Sequence, residues 1–238
     1  MMIGNDFSHW QGIVNWVKTK AAGAKFAYIK ASDGRYVDAK FAVNSASCDL
    51  DYKGPYHFLQ YSSNTYTLGQ EVAWGTAQAQ NFIRTIGAWK HNLIGMLDIE
   101  NYGESIYTCL SRVSKIAMAF RTEYRRVTGH NLLIYMNTDL EKQKEWTALG
   151  YKYIWRNFVD SPLMIANYNT VLTPPSCWKT WHIWQYSKRG NGALFGVESA
   201  AIDMDRDNGN LNELVIGQTA PTDHEMIMKL WAAHPEIH

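Results

Sequence analysis

The chain has 238 residues, 46% of them hydrophobic, with 23 basic against 22 acidic side chains. That length suits one large domain, and α/β barrels routinely fill it as a single unit. The near-cancellation of charge excludes the basic stripe by which proteins hold nucleic acid or an anionic membrane through charge alone, so recognition is expected to be local.

Short apolar runs rich in β-formers alternate with segments of helical period, the pattern of repeated βα units around a parallel sheet. In chain order the predicted strands begin with MIGNDFS (2–8), KFAYIKAS (25–32) and YKGPYHFL (52–59). A helix is predicted from Leu68 to Trp89, with Val72, Ala79, Phe82, Ile83 and Ile86 on one face. The strand LIGMLDIE (93–100) follows, then a helix from Ser105 to Val127 with Ile106, Leu110, Val113, Ala117, Phe120 and Tyr124 on one face and Gly129 as its stop. LLIYMN (132–137), LMIANY (163–168), WHIWQYS (181–187) and AAIDMD (200–205) complete a set of eight.

Helical segments follow the first five strands, whereas the connections after the sixth and seventh carry Pro174, Pro175 and glycines and read as loops. The fold expected is therefore an α/β, incomplete TIM-like barrel of eight strands and about five helices. Residues 1–216 form the barrel in this reading, ending in a short helix after Asn212. Residues 217–238 form a Thr-Ala-Pro-Thr linker and an amphipathic helix from near Asp223, a candidate for partner binding or self-association.

Cys48, Cys109 and Cys177 are odd in number and widely spaced, which fits neither a disulfide framework nor a zinc site; they read as buried thiols. The first ten residues lack a basic and apolar leader, and no segment approaches the roughly 18 apolar residues of a membrane span. The expectation is a soluble chain without an export signal and without membrane insertion.

The predicted strands carry polar residues at their C-terminal ends: Asp6, Ser32 with Asp33, His57, Asp98 with Glu100, Asn137, Asn167, Gln185, and Asp203 with Asp205. In barrel enzymes that end holds the active site. Within LDIE, Asp98 and Glu100 are two residues apart, so both face one side of a strand roughly 6.6 Å apart along it. Carboxylates this close repel, and burial disfavours charge, so one of them is expected to keep a proton at neutral pH and be able to donate it. Glu100 is taken as the deeper member and the donor. Glycosidic cleavage needs such a pair.

Other chemistries fit less well. DMDRDNG departs from a calcium loop, because counting from Asp203 the glycine falls one place late and the twelfth position is Leu214. There is no phosphate-binding glycine pattern and no serine nucleophile elbow, and neither a cofactor nor a metal is expected. His57 lies among apolar residues, where a hydrogen-bonded core histidine and a catalytic one are both open. A catalytically silent saccharide-binding module would keep the cleft and lose the acid pair, and a structural phage component would dock its partner through the C-terminal helix.

The chain resembles glycoside hydrolase family 25, the lysozyme-type muramidases. GNDFSHWQG is similar to that family's Gly-x-Asp-x-Ser-x-x-Gln-Gly opening, and AYIKASDG, GPYHF, MLDIE, IYMN, IANY, IWQYS and IDMD follow in the family's order. The resemblance implies an incomplete barrel that cleaves the β-1,4 bond between N-acetylmuramic acid and N-acetylglucosamine in bacterial peptidoglycan. It implies Glu100 as general acid, Asp98 as the group that positions the substrate acetamido group, and Asp6 and Asp203 as flanking acids. Tyr56, Tyr135, Trp184 and Gln185 match positions lining the sugar site, and Asp33 and His57 are expected beside them. Asp33 replaces a usual Glu, Met164 a common Trp and Asp205 a usual Asn. A wall enzyme without an export signal resembles a phage or prophage endolysin, made in the host cytoplasm and acting on the wall after release, with the helix in residues 217–238 expected to serve wall binding or self-association.

Overall fold

The structure is a computed structural model, and it describes residues 1–61, 67–100, 110–137, 157–172 and 178–217. The strands are β1 (Ile3–Phe7), β2 (Ala24–Asp33), β3 (Tyr36–Val37), β4 (Tyr52–Phe58), β5 (Met96–Ile99), β6 (Leu133–Asn137), β7 (Leu163–Ala166), β8 (Ile183–Asn191) and β9 (Ala201–Asp207). They hydrogen-bond in the order β1-β9-β8-β7-β6-β5-β4-β2-β3, and β1 also pairs with β2. That extra pairing closes eight strands into a barrel, with β3 folded back on β2 as a hairpin.

All eight expected strands are present. The expected direction of the last one is corrected: β9 runs antiparallel to both β8 and β1. The reason lies in the connection, residues 192–200, because a parallel return needs a crossover of about a dozen residues or more. The chain instead turns at a four-residue helix, so the barrel is mixed in direction.

Five α-helices are found among the described residues: α1 (Trp16–Ala21), α2 (Phe41–Ser47), α3 (Leu68–Ile86), α4 (Leu110–Thr128) and α5 (Gly192–Phe195), with 3-10 turns η1 (His9–Gln11) and η2 (Leu211–Leu214). Thr67 and Gln70 form a reciprocal capping box that starts α3. Gly129, at φ 73°, stops α4 by donating its N–H to the Arg125 carbonyl at 2.9 Å. Val72, expected on the buried face of α3, is exposed. The helix expected after the fifth strand, the segment 101–109, Cys109, Cys177 and the tail 218–238 lie outside the described residues. Cys48 is a buried free thiol, pushed by burial up to about 11.

Strand alternation sorts the apolar residues into two clusters. Phe26, Tyr28, Met96, Leu133, Met164 and Ile183 fill the barrel interior, which Leu211 and Leu214 of η2 join. Ala27, Ile29, Leu97 and Ile134 face outward onto Phe82 of α3 and Ile116 and Phe120 of α4. The interior is therefore largely apolar in its lower part, and most polar inward-facing residues gather at the mouth, with the buried Asp205 of β9 as an exception.

The helices α3 and α4 meet at Gly75. A Cβ there would collide with the Ile116 carbonyl oxygen and lie 2.9 Å from the Ala119 Cβ. Helix propensity alone favours alanine by about 1 kcal/mol, but overpacking costs about 1–3 kcal/mol. Gly75→Ala should thus lower the urea midpoint; a raised midpoint would show that the two helices are not held at this distance.

Candidate active site

The mouth of the barrel encloses a cleft of about 330 Å³. Period-two alternation delivers its lining: Tyr56 and Phe58 from β4, Met96 and Asp98 from β5, Tyr135 and Asn137 from β6. Asp6 is the last residue but one of β1, Gln185 comes from β8, and Glu100 follows the last residue of β5. Asp203 also lines the cleft, but from the first half of β9, because that strand runs downward from the mouth.

One part of this lining is tightly organised. Gln185 donates from Nε2 to Asp6 Oδ2 at 2.7 Å, while its Oε1 accepts from Tyr168 at 2.8 Å and Tyr135 at 3.2 Å. The two phenols thereby fix the amide, and the amide fixes Asp6. On the other side, Asp98 is buried and its Oδ1 makes no hydrogen bond among the described residues. Asp98 is the deeper acid and Glu100 is only half-buried, which corrects the expected order of depth. A parallel strand rises toward the mouth, so the later residue lies nearer solvent.

Burial is the main force on Asp98, Asp6 and Asp203. It holds Asp98 well above the usual carboxylate range, with Glu100 adding to it and Lys30 opposing. It does the same to Asp6, where Asp203 adds to it, the Gln185 hydrogen bond opposes, and Glu100 adds a smaller push. Asp203 is pushed up to about 6 by burial against the opposing Lys188. A site so arranged holds protons at neutral pH and can deliver them. Among the described residues, no three His, Cys, Asp or Glu side chains are disposed to hold a metal ion.

Three expected substrate contacts do not line the cleft. His57 is fully buried on the outer face of β4, packed on Phe120 at 4.8 Å, and burial pushes it down to about 4. Its Nε2 lies 3.2 Å from Gln78 Oε1, an oxygen that also accepts the Gln60 N–H, so Nε2 carries the proton and Nδ1 accepts from Ser32 at 2.8 Å. It is a neutral core histidine. Trp184 faces away from the interior, donating to the Asn167 carbonyl at 2.6 Å beneath the Arg206 guanidinium. Asp33 sits past a register shift in β2 and instead pairs with Lys30 at 3.1 Å and accepts from Gln60 at 2.7 Å.

The cleft also gathers residues that the sequence reading did not single out: Ser8, Trp10, Gln11, Lys30, Tyr168 and Lys188. For Lys30 a signal existed, since it shares the face of Phe26 and Tyr28 in an otherwise apolar strand. Lys188 had none, because it reaches the mouth through the antiparallel extension of β8 beyond the register shift at Gln185–Ser187.

Residues 5–193 match the model of the family described as Glycosyl hydrolases family 25. The chain belongs to that family. It is 31% identical to Lysozyme M1 of Streptomyces globisporus over 89% of this chain and 69% of that protein. It is 32% identical to N,O-diacetylmuramidase of a Chalaropsis species over 90% of this chain and 99% of that protein. The crystal structure of the bacterial lysozyme from Streptomyces coelicolor superposes with a TM-score of 0.72 at 31% identity, covering 90% of this chain and 94% of that one. This family 25 chain is accordingly a glycoside hydrolase.

Beneath the cleft of this hydrolase lies Asp205, opposite Gly4 and Gln185 in the barrel wall, fully buried and with neither carboxyl oxygen hydrogen-bonded among the described residues. Burial first, and then Asp6 and Asp203, hold it well above the usual range. A carboxyl whose folded value exceeds its unfolded value of about 3.9 binds a proton in the native state, so stability falls as pH rises between the two. Asp205→Asn should leave Tm nearly unchanged near pH 4 and raise it by at least about 3 °C at pH 7. An equal effect at both pH values, read by calorimetry, would show that charge is not the cause.

Proposed function

We propose that the chain cleaves the β-1,4 bond between N-acetylmuramic acid and N-acetylglucosamine of bacterial peptidoglycan, with retention of configuration. The observation that carries this reading is the shared cleft of Asp98 and Glu100, with Asp98 Oδ1 buried there and without a hydrogen bond among the described residues. Two acids coupled this way titrate as a unit and retain a proton between them.

In the reading favoured here, the Glu100 carboxyl gives its proton to the glycosidic oxygen as the C1–O bond breaks. The carbonyl oxygen of the substrate's own 2-acetamido group attacks C1, while Asp98 accepts the acetamido N–H and holds it in line. Glu100, now a carboxylate, takes a proton from the water that opens the ring intermediate at C1. Two displacements at C1 restore the β configuration. Asp6 and Asp203 flank the reacting sugar, Gln185 orients Asp6, and Tyr56 and Tyr135 line the ring. Asp98 acting as a direct nucleophile would give the same anomer, so product stereochemistry tests retention, and a search for a glycosyl adduct on Asp98 separates the two routes.

The site of action in this reading is the bacterial wall. Glu100→Gln, nearly isosteric, should keep the wild-type Tm and lose at least the roughly 10²–10⁴-fold contributed by a general acid. A variant that clears wall suspensions at the wild-type rate would rule out Glu100 as donor. NMR of the first-formed product should show the β anomer at the new reducing end, and an α anomer would defeat both retaining routes.

A further inference from the structure

Trp10 is 75% exposed although it lines the cleft. An exposed indole is ordinarily unremarked when its segment is loose, but this one is mounted on a turn tied at several points. Ser8 Oγ caps η1 by accepting the Trp10 N–H at 3.3 Å, and Gln11 Oε1 accepts the Ser8 N–H at 2.8 Å. The neighbouring His9 is bound to the buried Asp38 through its backbone N–H at 3.1 Å and its Nδ1 at 2.8 Å. Asp38 is itself fixed, its N–H donating to the Ala31 carbonyl and its Oδ1 accepting the Lys40 N–H. On the far side, Glu198 clamps the turn by accepting the Ile13 N–H at 3.1 Å and donating its own N–H to the Gln11 carbonyl. The His9 ring backs the indole, with centroids 4.5 Å apart and planes at 38°.

The turn thus holds a large flat apolar face in water at a fixed angle beside a polar cleft. Aromatic rings with one apolar face and one polar edge suit ligands that are themselves amphipathic. A pyranose is such a ligand, since its axial C–H groups form an apolar face and its hydroxyls radiate from the edge. The cleft volume lies at the small end for ligand pockets, so a glycan polymer seated over Asp98 and Glu100 must continue across the rim. Trp10 follows β1, three strands round the barrel from β5, and therefore meets a ring other than the one being cleaved.

We propose that Trp10 is a saccharide-stacking platform that binds a sugar of the glycan chain outside the reacting subsite, and so favours polymeric over short substrates. The inference rests on the glycan reading of the cleft given above. Contact with a remote ring, equal in ground and transition states, lowers KM and leaves kcat alone. His9 and Asp38 act as positioning residues for the indole, and neither touches the substrate.

The test uses peptide-free soluble glycan strands prepared from bacterial sacculi, with reducing ends counted to obtain kcat and KM separately. Trp10→Ala should raise KM about tenfold with kcat within twofold of wild type, Trp10→Phe should recover most of the loss, and Trp10→Leu should not. Binding of the same strands to the Glu100→Gln protein should weaken by a similar factor when Trp10→Ala is added. Unchanged KM in Trp10→Ala, a fall in kcat with KM unaltered, or full recovery by leucine would each overturn the platform while leaving the cleavage reading intact. Wild-type protein that released no reducing ends would overturn both.

Discussion

Closure of the barrel at β1 is the constraint on which the rest of this molecule depends. β1 is hydrogen-bonded on both edges, to β2 in parallel and to β9 antiparallel. Only closure gives the eight strands a common interior, and only a common interior brings Asp6, Asp98 and Asp203 from three separated parts of the chain into one cleft. It also removes sheet edges that would otherwise pair with other chains. The lower interior fills with Phe26, Tyr28, Met96 and Leu133, leaving most polar side chains at the mouth above a largely apolar core.

That boundary explains the electrostatics. Acids on the wall of a nearly apolar barrel lose solvation before they meet one another, which is why burial outranks mutual repulsion for Asp6, Asp98 and Asp205. Among the described residues, two cations of the cleft oppose this, and they divide it: Lys30 acts on Asp98, and Lys188 acts on Asp203. Neither lysine is left to wander. Lys30 is tied to Asp33 and lies over the Phe58 ring at 4.6 Å, and Lys188 lies over Tyr168 at 5.5 Å. Unequal protonation across one small cleft is what acid catalysis requires.

The residues outside the cleft hold those inside it. His57 joins β2 to α3 through Ser32 and Gln78, stiffening the wall that carries Tyr56 and Phe58. Trp184 ties β8 to the Asn167 carbonyl, next to the Tyr168 that orients Gln185. A side chain one position away from a lining residue points through the other face of the same strand, so these two are supports for the site rather than parts of its surface.

Local information in the sequence determined the eight strands, their order, the long helices α3 and α4, and the Asp98–Glu100 pair on one face of a strand. Each of these follows from periods of 2 or 3.6 residues and from turn residues a few positions away, and such signals need no distant partner. Tertiary structure alone decided the direction of β9, the greater depth of Asp98, the outward placement of His57 and Trp184, and the presence of Lys188 and Trp10 at the cleft. Alternation says that neighbouring residues face opposite ways, but not which way is inward; that sign is set by closure. Register shifts at Lys30–Ser32 and Gln185–Ser187 then reset it part-way along β2 and β8, for reasons that lie in the paired strands and not in the residues themselves.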